Sequence, residues 1–212
     1  MAMMASFQYR TLPGKFSRHI AVSLEARGRL QAMGYRVAVT RQLMGEHPGV
    51  LTTVMSFADG KSWMEASARI QEDSAWTAWY ASVADEGVAE HVASALYADI
   101  DPQFSPAAPG VIKVARNSLW RPLPGKAAAL MDSIKTACGH ISRLGGMPRV
   151  LHCIEGRYPI TRAVSIGFES LAAAGAFLDA SNADAQFQAY WAEAMANPSG
   201  AIVASELVEL MG

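Results

Sequence analysis

Few side chains in this 212-residue sequence carry chemistry at a meaningful spacing, and those that do fall in matched pairs. Tyr9 and Arg10 close one apolar run, and Trp120 and Arg121 close another, each just before the same "LPGK" phrase. An aromatic face beside a guanidinium suits a planar, partly anionic ligand, through stacking and bidentate hydrogen bonds. An arginine at a strand end also commonly sits in solvent or pairs with a helix carboxylate. His152, whose counterpart is Arg41, is a candidate general base because an imidazole titrates near neutrality; a lone strand histidine is equally a structural group. Asn117, four positions before "RPLPG", could donate to a developing oxyanion or satisfy neighbouring backbone. The five histidines show no ligand spacing, so no metal site is expected. No GxGxxG, P-loop, HExxH, GxSxG or EF-hand pattern occurs, which removes nucleotide, zinc-protease and serine-hydrolase readings.

The frame holding these groups is apolar and nearly neutral. Half the residues are hydrophobic, 17% are charged, and 18 basic side chains balance 19 acidic ones. That composition specifies a compact fold and argues against a nucleic-acid partner, whose phosphates need a concentrated basic field. No apolar run is long enough for a membrane span and the first residues lack a signal-peptide pattern, so no membrane association and a cytoplasmic location are expected. Cys138 and Cys153 have no CxxC spacing and read as buried small apolar groups.

"RTLPGK" at 10–15 returns as "RPLPGK" at 121–126, and the 111-residue offset persists without a gap. Gly28 falls on Gly139, Gly34 on Gly145, Val39 on Val150, Gly45 on Gly156, Pro48 on Pro159, Phe57 on Phe168 and Asp73 on Asp184. Such a pattern is that of a tandem duplication. Residues 1–97 form one repeat, 98–110 a proline-rich linker, and 111–212 the other. In each, a strand (5–10, 111–120) leads into a helix opened by the proline and glycine and ended by Gly34 or Gly145. The apolar stripe of the second copy's helix is Ala127, Met131, Ile134, Cys138, Ile141 and Leu144; the first copy keeps Phe16, Ile20, Leu30 and Met33, with Arg27 replacing Cys138. Two strands follow, then a helical region from about 61 and 171 that breaks at Asp73 and Asp184, then a last strand. The predicted class is α+β, with two tandem ferredoxin-like βαββαβ repeats.

In the third strand of each copy one face is bulky (Thr53, Met55, Phe57; Val164, Ile166, Phe168) and the other small (Thr52, Val54, Ser56; Ala163, Ser165, Gly167). Helices cover the bulky face, and the small faces of the two antiparallel sheets are expected to pair into an α/β barrel within one chain. Trp76, Trp79, Tyr80 and Phe187, Tyr190, Trp191 recur at matching helix positions and are expected to pack core or helix–helix contacts.

The PGK helix start, the glycine-ended helix and "FESLAAA" at 168–174 resemble the dimeric α/β-barrel superfamily, most nearly its antibiotic-biosynthesis-monooxygenase-like and NIPSNAP-like members. The resemblance implies the plait and barrel. Members include cofactor-free oxygenases, haem-degrading enzymes and isomerases. Haem-degrading members take an iron ligand from a histidine in the second helical region, and 61–84 and 172–195 contain none. No cofactor is therefore expected. The leading expectation is a protein that binds a small apolar or aromatic molecule and acts as a cofactor-independent monooxygenase, with His152 as base. The alternative is a non-catalytic binding or assembly module with a filled barrel. A homodimer through remaining sheet edges or helices is the expected assembly.

Overall fold

The order of elements is β1 (Met3–Thr11), α1 (Phe16–Ala32), β2 (Arg36–Met44), β3 (Leu51–Phe57), α2 (Gly60–Glu72), α3 (Ser74–Asp85) and β4 (Ala89–Asp99). The second half runs β5 (Val114–Pro122), α4 (Ala127–Arg143), β6 (Met147–Gly156), β7 (Arg162–Phe168), α5 (Leu171–Ala183), α6 (Ala185–Ala196) and β8 (Gly200–Met211). The computed structural model describes residues 1–47, 49–104 and 110–211. Pro48 and residues 105–109 of the expected linker lie outside these, as does Gly212.

All eight strands pair antiparallel in one closed barrel, β1-β3-β2-β8-β5-β7-β6-β4 and back to β1. Six α-helices lie outside it among the described residues, so the class is α+β. Each half contributes four strands in the ferredoxin-like order, β4-β1-β3-β2 and β8-β5-β7-β6. The halves join at two seams, β2 with β8 and β4 with β6. Closure leaves every strand flanked on both sides, so an association through free sheet edges has no edge to use. At the β4–β6 seam Gly156, with φ of 115°, lets the strands approach: a Cβ there would lie 2.2 Å from the Ser94 carbonyl oxygen.

Local chemistry explains the helix boundaries. Asp73 ends α2 and its carboxylate accepts from the Trp76 N–H at 2.7 Å to start α3; Asp184 does the same for Phe187, also at 2.7 Å. The expected linker begins later than its prolines indicate: Ala98 and Asp99 belong to β4, and the Ile100 N–H donates to the Val150 carbonyl at 3.3 Å. Cys138 and Cys153 are free and fully buried.

The halves are packed unequally. Beneath α4–α6, Leu130, Ile134, Cys138 and Ile141 meet Val150, Val164, Ile166, Phe168 and Phe177 in one continuous core. The matching positions of the first half are His19, Ser23, Arg27, Leu30, Val39, Thr53, Met55, Phe57 and Ala66. Three bulky apolar groups have thus become His19, Ser23 and Ala66, and each exchange withdraws roughly 1.5–3 kcal/mol of apolar burial. Arg27 turns outward and donates to the Met211 carbonyl at 2.7 Å. The buried face of α1 is His19, Val22, Ser23 and Leu30, one residue round from the predicted stripe; Phe16 is largely exposed.

Side-chain ties follow the same inequality. Arg143 of α4 forks onto Asp184 at 2.6 and 2.8 Å, and the Tyr190 hydroxyl of α6 meets the Ser133 hydroxyl at 2.8 Å. Their first-half counterparts, Ala32 with Asp73 and Val22 with Trp79, cannot form these bonds. There the Arg29 guanidinium over the Trp79 ring, 5.0 Å from its centroid, links α1 to α3.

Ile134→Ala should cost about 2–5 kcal/mol in urea unfolding, because the side chain sits in a filled core. Ser23→Ile, which gives α1 the residue α4 already carries, should leave stability unchanged or raise it; a loss above about 1 kcal/mol would mean that α1 has no such space beneath it.

Candidate functional site

The unfilled volume beneath α1, α2 and α3 is a cavity of about 780 Å3. Its floor is the outer face of β1 and β3, with Ala5, Phe7, Tyr9, Thr53, Met55 and Phe57 alternating as the pleat requires. Its roof is aromatic: Trp63, Trp76, Trp79 and Tyr80. These helix aromatics were expected to pack against neighbouring helices, and in the second half they do, Phe187 and Tyr190 against His140 and Trp191 edge-on to Trp120. In the first half they stand over a cavity because the side chains that would meet them are small.

Polar groups gather at one end, where β1 ends, β4 begins and α1 enters. His19 is 3% exposed and lines the cavity. Its Nδ1 lies 2.7 Å from the Thr11 hydroxyl, which donates to the Gly49 carbonyl at 3.4 Å. With its proton on that carbonyl the hydroxyl oxygen can accept from Nδ1–H, the tautomer that would leave the Nε2 lone pair open to the cavity. Burial pulls the His19 pKa down from 6.5 to about 4, so the ring is neutral at pH 7. Tyr9 meets His91 edge-on, ring centroids 5.3 Å apart, and His19 at 6.5 Å. Burial, with Tyr80 beside it, raises the Tyr9 phenol and keeps it a neutral hydrogen-bond donor. Among the described residues no lysine, arginine or carboxylate lines this cavity.

Of the six candidate site residues named from sequence, Tyr9 alone lies here. Arg10 turns outward to pair with Glu90 at the surface. Trp120 packs on the second-half core, its indole N–H donating to the Ser118 hydroxyl at 3.0 Å, and Arg121 is exposed. His152 lines neither the 780 Å3 cavity nor the 220 Å3 cavity inside the barrel. It shares a face of β6 with Val150, at the end of the β6–β7 ladder, where its Nδ1 lies 3.2 Å from the Thr161 carbonyl and contacts the Arg162 guanidinium. A base there does not face the aromatic cavity. Asn117 faces the barrel interior, its amide donating to Glu206 at 2.9 Å, away from the aromatic cavity. The groups that do converge, His19 and His91, carry a signal in the offset register: His19 stands where the second half has Leu130, and His91 where it has Ile202. At 19 a buried histidine stands where the second half buries a leucine, whereas at 91 and 202 both residues are exposed.

No protein-family model and no curated protein matches the chain. Solved structures do. An anthrone oxidase-like protein superposes with a TM-score of 0.63 at 12% identity, covering 100% of this chain and 92% of its own. A candidate monooxygenase from Fusobacterium nucleatum subsp. nucleatum gives 0.63 at 12%, covering 100% and 95%. A haem-binding protein from Thermus thermophilus gives 0.56 at 10%, covering 100% and 91%. The neighbours are dimeric α/β-barrel-fold proteins of the antibiotic-biosynthesis-monooxygenase-like kind, and at these identities the likeness shows the fold alone.

Proposed function

We propose that the chain is a tandem duplicate in which the second repeat became the packed scaffold and the first kept a binding cavity for a planar, largely aromatic molecule, which it oxidises with molecular oxygen as a cofactor-independent monooxygenase. The observation that carries this reading is the 780 Å3 aromatic-walled cavity with His19 and Tyr9 converging at one end. Its volume and its few placed polar groups are those of a small-molecule site. The fold shared with an anthrone oxidase-like protein and a candidate monooxygenase supports the same class.

Haem, the ligand named for the Thermus neighbour, does not fit these residues. His19 and His91 offer imidazole nitrogens, but no lining side chain carries the positive charge that would pair with propionates, and the corresponding space in the second half is filled by core.

The residues account for the chemistry as follows. A substrate with an acidic methylene flanked by aromatic rings and a carbonyl lies between the β-sheet floor and the tryptophans. His19 Nε2 removes one C–H proton, with Thr11 holding Nδ1–H, while the Tyr9 hydroxyl donates to the oxyanion that forms on the substrate carbonyl. The buried imidazole is a weak base alone; the negative charge developing beside it raises its proton affinity at the moment of transfer. The carbanion gives its electrons to dioxygen and forms the C–O bond, the peroxide takes the proton back from His19, and loss of water leaves a carbonyl. In balance, one methylene and one dioxygen give one carbonyl and one water, with the substrate as the only reductant.

The buried neutral His19 must also appear in stability. Its folded pKa lies below its unfolded one, so between about pH 6.5 and 4 the unfolded chain binds the extra proton and stability falls as pH falls. The loss across this window is on the order of 3 kcal/mol, and a urea-midpoint series should show it shrink in His19→Gln; equal slopes would mean that His19 is not buried neutral. Oxygen consumption with anthrone as probe should drop at least about 100-fold in His19→Leu and about 10-fold in Tyr9→Phe, and persist in His152→Ala. Saturable quenching of tryptophan fluorescence without oxygen uptake would make the protein a binding module, and loss of turnover in His152→Ala would return the base to β6.

A further inference from the structure

A second cavity, of about 220 Å3, lies inside the barrel, on the opposite face of the sheet from the aromatic site. Leu119, Val203 and Ala204 give it an apolar floor, and Tyr97 and Tyr158 pack against the same cluster. Two polar side chains in its wall lack full partners. Gln42 is 8% exposed, and its side-chain amide makes no hydrogen bond among the described residues. It is also confined: Gly45 comes so close that a Cβ there would lie 2.1 Å from Gln42 Nε2. Glu206 accepts from the Asn117 amide through Oε1, and its Oε2 has no hydrogen-bond partner among the described residues. The nearly buried Gln42 amide and the half-buried Glu206 carboxyl therefore keep hydrogen-bonding capacity for a small polar occupant of the cavity.

Charge decides what that is. At the mouth the Arg157 guanidinium is already engaged, 3.2 Å from Glu46 and stacked over the Tyr158 ring at 5.2 Å. Glu206 is then the charged wall residue with no ion-pair partner among the described residues, set among groups that both donate and accept: the Gln42 amide, the Tyr97 and Tyr158 hydroxyls and the Ser6 and Ser205 hydroxyls. An anion would meet the carboxylates of Glu206 and Glu46, and a neutral alcohol would leave the Glu206 charge uncompensated. An ammonium brings three donors, pairs with the carboxylate and sits well against tyrosine faces. Burial raises the Glu206 carboxyl against the lowering effect of the Asn117 amide, and a cation beside it would draw it down.

We propose that the barrel interior binds a small organic monocation, a primary alkylammonium, with Glu206 and Gln42 accepting from its N–H groups and Leu119, Tyr97 and Tyr158 holding its alkyl chain. The site is separate from the aromatic cavity and does not depend on the oxygenase reading.

Isothermal titration of the full chain with n-butylammonium chloride, against n-butanol and sodium butyrate as size-matched probes, tests it. Saturable binding of the amine alone is expected, weakened about tenfold or more by Glu206→Gln and several-fold by Gln42→Leu, each variant first shown to keep the wild-type circular dichroism and melting temperature. If Glu206→Gln does not fold, Gln42→Leu carries the comparison. No saturable amine binding, equal binding of butanol or butyrate, or unchanged affinity in the folded variants overturns the proposal.

Discussion

An antiparallel strand satisfies its backbone only when flanked on both sides, and eight strands here meet that demand by closing on one another. Everything else follows from the closure. The small faces of both four-stranded sheets are committed to a shared interior, held at one seam by Arg41 with Glu209 at 2.6 Å and at the other by Arg149 with Asp99 at 3.0 Å. The outer faces are committed to helices. A sizeable ligand space then arises where a helix layer and a sheet fail to fill the volume between them, and the first half is where they fail.

One half is dispensable for filling because the other supplies the packing. The second-half core is continuous from β5 through α4 to α5, and its helices are tied by Arg143–Asp184 and Ser133–Tyr190. The first half breaks into smaller clusters around Leu30, Val37 and Met55, and around Met3, Ala5, Leu96 and Ala98. Stability gathered in one half permits polar and small residues in the other, the usual trade between a packed core and a site. The two halves thus offer an internal comparison: at positions related by the 111-residue offset, leucine at 130 faces histidine at 19, and isoleucine at 134 faces serine at 23.

Much of this frame was legible beforehand. The aspartates at 73 and 184 mark helix restarts because a carboxylate following a helical run caps free N–H groups, and alternation in β3 and β7 separates the helix face from the barrel face without knowledge of the fold. The site was less legible. His152 and Asn117 stood out as polar groups on strands, yet strand parity gives only the face, not which stretch of it lies under a helix: His152 falls at the seam end of β6, and Asn117 turns into the barrel beside Glu206. Tyr9 and Arg10 were read as one ligand contact, yet Arg10, one residue on, points to the opposite side and meets Glu90. His19 was hidden because a histidine in a helix carries no local mark; its meaning lies in the leucine 111 positions away.

Anomalous diffraction from crystals soaked in 4-bromophenol tests the central claim most directly, because bromine locates the ring without assumption. The account predicts one strong bromine peak beneath α1–α3, with the phenol oxygen within hydrogen-bond reach of His19 Nε2 or the Tyr9 hydroxyl, and none beneath α4–α6. A peak beneath α4–α6 or inside the barrel, or no bound ring at a concentration that saturates tryptophan quenching, would contradict it.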